Sequence, residues 1–68
     1  MSLPLPLPHG IGRPATGALT LRGWTTLEQL TEVTERELLA LHGVGPKAVR
    51  VLRETMAEHG LSFAPDRR

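Results

Sequence analysis

Apolar residues along this chain fall into short clusters broken by glycine and proline, a pattern that predicts several short helices rather than one or two long ones. From Pro46 to about His59, Ala48, Val51, Leu52, Thr55 and Met56 recur at the spacing of one buried stripe, leaving Lys47, Arg50, Arg53 and Glu54 outward. Gly60 marks the end of that helix. Leu27, Leu30, Val33, Leu38 and Leu41 form an inward set spread over two shorter helices. Each begins on capping chemistry, Thr25 with Glu28 or Thr26 with Gln29 for the first and Thr34 with Glu37 for the second. Pro14 to about Leu21 makes a further short helix, with Ala15, Ala18 and Leu19 on one face and Gly23 as its stop. Gly17 and Thr20 weaken it, so packing must hold it.

The flanks follow other rules. Residues 1–8 alternate leucine and proline, which forbids a helix and favours an extended arm. Such an arm either lies across the domain, with Leu3, Leu5 or Leu7 on apolar surface, or serves as a ligand for a proline-recognising partner. Leu61-Ser62-Phe63 is expected to pack back on the core, and residues 64–68 read as a frayed basic tail. Trp24, the single tryptophan, is expected as a core anchor, with base stacking the lesser alternative. The helical domain then spans residues 9–63.

Between the last two helices runs Leu41-His42-Gly43-Val44-Gly45-Pro46-Lys47-Ala48. Glycines at 43 and 45 let the chain reverse sharply with Val44 turned into the core, and Pro46 suits the first turn of the following helix. Free backbone donors, the positive end of the helix dipole and Lys47 then sit together. An ordinary helix junction and a phosphate site both satisfy this chemistry.

The stretch from Leu38 to Leu52 resembles a helix-hairpin-helix motif, whose core is a Gly-hydrophobic-Gly turn followed by a basic residue and then alanine. The resemblance implies that Gly43, Val44 and Gly45 offer backbone N–H groups to DNA phosphates, with Lys47 as the charged contact and Arg50 one turn on. The pattern also repeats. Gly10-Ile11-Gly12 aligns with Gly43-Val44-Gly45 at an offset of 33 residues, placing His9 on His42, Ala15 on Ala48 and Leu19 on Leu52. A first hairpin is implied at Gly10, Ile11 and Gly12 with Arg13 as its basic residue, its leading helix replaced by the arm. Residues 11–63 are similar to the tandem helix-hairpin-helix domain, and to the C-terminal domain family of bacterial RNA polymerase alpha subunits, a SAM-like fold. That likeness implies an all-α, compact bundle of about five short helices that binds double-stranded DNA and also touches protein partners. In a gapless alignment Pro14 stands where that family places a minor-groove arginine, with Arg13 one position earlier.

Composition narrows the classes. Sixty-eight residues make one small domain, too small for a large catalytic cleft. With no cysteine there is neither a disulfide framework nor a thiolate metal site, and His9, His42 and His59 are the only imidazoles. No nucleophile-and-base pairing, phosphate-cradling Walker loop or paired carboxylates stand at recognisable spacing. No apolar run approaches the roughly 18 to 20 residues that span a bilayer, and the start lacks a basic region followed by an apolar one. A non-enzymatic cytoplasmic protein is expected, without cofactor, metal, membrane or small-molecule substrate. Net charge is only +1, but Glu28, Glu32, Glu35 and Glu37 cluster between groups of basic residues. This is either an acidic and a basic face or ordinary solvated helix surface. The expected function is largely sequence-independent DNA binding, the alternative being protein interaction through residues 28–37 or the arm.

Overall fold

The computed structural model of the chain describes residues 4–65. Three α-helices form: α1 (Gly12–Leu21), α2 (Glu35–Leu39) and α3 (Pro46–Glu58). Single 3-10 turns occupy His9–Ile11 and Glu28–Glu32, and no strand occurs among the described residues. The chain is thus all-α among the described residues, with three α-helices where the likeness to the tandem helix-hairpin-helix domain implies about five short helices. The segment after Thr26 tightens into a 3-10 turn because its side chains go elsewhere. The Thr31 hydroxyl donates to the Glu28 carbonyl at 2.7 Å, and Gln29 Oε1 accepts the Thr25 and Thr26 amides at 2.7 and 3.0 Å. Val33, extended at φ −115°, ends it.

Helix α2 is short but well started. The Glu37 amide donates to Thr34 Oγ1 and the Thr34 amide to Glu37 Oε1, a complete capping box. Helices α1 and α3 end alike: Gly23 N–H donates to Thr20 O and Trp24 N–H to Leu19 O, as Gly60 N–H does to Ala57 O and Leu61 N–H to Met56 O. These are Schellman closures, which bond carbonyls that a helix end otherwise leaves unpaired.

One core joins all elements. Leu19, Leu27, Leu30, Leu38, Leu52 and Met56 are fully buried, each contributing about 1.5–3 kcal/mol of transfer free energy. The repeated positions pack alike: Ile11 with Val44, Ala15 with Ala48 and Leu19 with Leu52 are all buried. The stripe of α3 is rotated from the expected one. Val49 is buried, whereas Val51 and Thr55 are half-buried, because the core lies against the 48–49–52–56 side of the helix and Val51 sits at its edge beside Gly10. Leu41 is half-buried, as is Trp24, over whose ring the Arg22 guanidinium stands at 5.1 Å.

The arm lies on the domain. Prolines leave residues 4–8 only two amides, and that of Leu5 donates to Glu28 Oε1 at 2.9 Å while its carbonyl accepts Leu27 N–H. Pro6 bridges Thr26, and Leu5 and Leu7 pack against the core; Leu3 lies outside the described residues. At the other end Leu61 and Phe63 pack back as expected. Ala64, expected in a frayed tail, is instead tied by its amide to Val33 O at 3.0 Å; residues 66–68 are outside the described range.

Candidate nucleic-acid interface

The turn between α2 and α3 is built by glycine in one place only. Gly43 has φ +97°, and a Cβ there would stand 2.9 Å from the Pro14 carbonyl oxygen, so both conformation and space require its hydrogen. Gly45 is extended at φ −110° with open space around it, a conformation open to any residue. Val44 is buried and its N–H donates to Leu41 O at 3.2 Å. The Val44 N–H, expected as a phosphate donor, is thus already engaged by the carbonyl three residues back. The amides of Gly43, Gly45 and Lys47 bond to no described residue, and α3 starts on Pro46 with no side-chain cap. Donors and dipole are thus available at the start of a 13-residue helix.

The turn at Gly10, Ile11 and Gly12 is of another kind. Positive φ falls on the second glycine, Gly12 at +86°, rather than on the first, and the Gly12 N–H donates to His9 O inside the 3-10 turn. The Gly12 N–H, expected to face a phosphate, is thus already bonded within the turn. The physical reason is upstream: an extended Pro-rich arm enters this turn, whereas α2 and its last carbonyls enter the other. Ile11 is buried; Gly10, exposed, lies against α3, where an added Cβ would meet Val51 Cγ1 at 3.3 Å. Each turn thus abuts the helix that follows the other one, Gly10 on α3 and Gly43 on α1.

This crossing decides which basic residues meet. Arg13, exposed at the start of α1, lines one groove with His42 and Gly43. Lys47 and Arg50, exposed one turn apart on α3, share a shallow depression with Pro46 and Arg53. Arg53 is a member that motif reasoning passed over, although its spacing of three makes it a neighbour of Arg50 on the helix surface. Its Nη1 is held by both carboxylate oxygens of Glu35, at 3.1 and 3.2 Å. Lys47, Arg50 and Arg13 have no ion pair with a described residue.

The acidic stretch turns out to be largely engaged. Glu28 fastens the arm, Glu35 holds Arg53 and Glu37 caps α2. No group of three or more His, Cys, Asp or Glu able to hold a metal occurs among the described residues, nor does a helix long and apolar enough to cross a membrane.

No family model, curated protein or solved structure was found to match the chain. Function must therefore be read from the site itself.

Proposed function

We propose that the chain is a small, non-catalytic module that grips double-stranded DNA by its phosphates with little regard to sequence. The single observation that carries this reading is the start of α3: amides at Gly43, Gly45 and Lys47 that bond to no described residue, beside the exposed cations of Lys47 and Arg50, which pair with none. Backbone amides and a helix dipole suit a phosphate oxygen, and flexible cations add charge without reading bases. Arg13, brought beside Gly43 by the crossing of the two turns, supplies a further contact on the same phosphate track. The likeness of residues 11–63 to the tandem helix-hairpin-helix domain supports the same assignment. The alternative, protein interaction through residues 28–37 or the arm, has less to work with, since Leu5, Glu28, Glu35 and Glu37 are spent inside the fold.

Charge reversal tests it. The Lys47→Glu/Arg50→Glu variant, which alters only exposed side chains, is expected to retain its melting temperature and to lose affinity for an arbitrary duplex by about a hundredfold or more, as two phosphate contacts become repulsions. Unchanged affinity in a folded variant would remove these residues from the site.

A further inference from the structure

A second surface lies along α1, meeting the proposed DNA site at Arg13 and Gly43 but formed mainly of residues which that reading does not use. Ala18 and Leu21 face Leu41 across an open groove, and Leu21 is 89% exposed, the most exposed large apolar side chain among the described residues. The Schellman closure of α1 fixes this position: the chain turns away at Gly23 and sends Trp24 inward, leaving Leu21 on the outside of the last turn. The ionisable groups along the groove are all basic. Arg13 stands at one end, Arg22 at the other and His42 on the opposite wall, with no carboxylate among the lining residues. Arg22 is steadied there by the Trp24 ring beneath it. The two arginines are roughly 14 Å apart along the helix at about 1.5 Å per residue.

We propose that this groove docks an acidic amphipathic segment of a partner protein, aliphatic on one face and carrying carboxylates toward both ends. Charge complementarity commits it to that occupant. The floor of Ala18, Leu21 and Leu41 is aliphatic and suits the apolar side chains of such a segment. A segment of about 12 residues, roughly 18 Å long as a helix, reaches both arginines while its apolar face covers Leu21 and Leu41.

Panning a phage library of random peptides, about 12 residues long, against the whole folded chain tests this, with Leu21→Glu and Arg13→Glu/Arg22→Glu panned in parallel. Wild type is expected to enrich peptides with Leu, Ile, Met or Phe at helical spacing flanked by Asp or Glu. A recovered peptide should shift the backbone amide resonances of Ala18, Leu21, Leu41 and Gly43, and Leu21→Glu should weaken it about tenfold or more. The double reversal should instead select Lys- and Arg-flanked peptides. Absence of enrichment, enrichment indifferent to Leu21→Glu, or acidic peptides still preferred by the double reversal would each overturn the proposal. So would self-association of the wild type abolished by Leu21→Glu, which gives the groove to a second copy, or a duplex that shifts the Ala18 and Leu21 amides. Loss of DNA binding through Lys47→Glu/Arg50→Glu leaves this result untouched, so the two readings fail separately.

Discussion

The two Gly-hydrophobic-Gly turns, residues 10–12 and 43–45, share a pattern and a set of buried partners but not a backbone. At the second turn α2 delivers the chain, Gly43 takes the positive φ, and Gly45 and Lys47 keep their amides open. The first receives an extended arm, closes a 3-10 turn on His9 and places the positive φ on Gly12. Glycine spacing therefore sets where a turn occurs, while the element that precedes it sets which amides are left unbonded. Among the described residues, the second turn combines unbonded amides with two cations on its own helix that have no ion-pair partner.

The comparison breaks most visibly in the core. Leu19→Ala and Leu52→Ala, at equivalent positions and both fully buried, should each cost about 2–5 kcal/mol in chemical denaturation. A large inequality between them would show that the two halves do not pack as counterparts. Next come the glycines. Gly43→Ala should cost about 3 kcal/mol, since positive φ and the Pro14 carbonyl both oppose a Cβ. Gly45→Ala, extended and unobstructed but at the N-cap of α3, should cost no more than about 1 kcal/mol, the gain through the unfolded chain being offset by alanine's poorer capping. At the first turn the order reverses along the chain, Gly12→Ala being costly and Gly10→Ala mild, because only a movable Val51 methyl opposes it. Equal effects at Gly10 and Gly43 in thermal melts would contradict the distinction drawn here.

Smaller effects sharpen the second turn alone. Thr34→Ala removes the capping box that starts α2 and should lower stability by about 1 kcal/mol. Glu35→Gln breaks an ion pair whose partners are 54% and 39% exposed, so stability should move by no more than about 0.5 kcal/mol. It also releases Arg53 onto the face of Lys47 and Arg50. Duplex binding by that variant should tighten, with the slope of log affinity against log salt steepening by about one; an unchanged slope would place Arg53 outside the interface.

Much of this was legible in the residues. The apolar set Leu19, Leu27, Leu30, Leu38, Leu52 and Met56, the Thr34–Glu37 cap and the stops at Gly23 and Gly60 follow from local rules, because period and capping are properties of neighbouring residues. What escaped depends on distant ones. Val49 is buried because of how α3 is rotated against the rest of the core. Glu28 looks like a solvated or capping carboxylate until the arm arrives with the Leu5 amide. The bonded amides of Val44 and Gly12 are set by what each turn closes upon, which a tripeptide does not encode. At the site, Lys47 and Arg50 were visible from the motif, while the meeting of Arg13 with Gly43 needed the crossing of the turns.

The most direct measurement is the salt dependence of binding to a fluorescent duplex of arbitrary sequence, followed by anisotropy. Three phosphate contacts, by Arg13, Lys47 and Arg50, give an expected slope of about −2.7, or a loss of roughly 40-fold between about 50 and 200 mM salt. Affinity that is flat across that range, or no binding at its lower end, would contradict the assignment of α3's start as a phosphate grip.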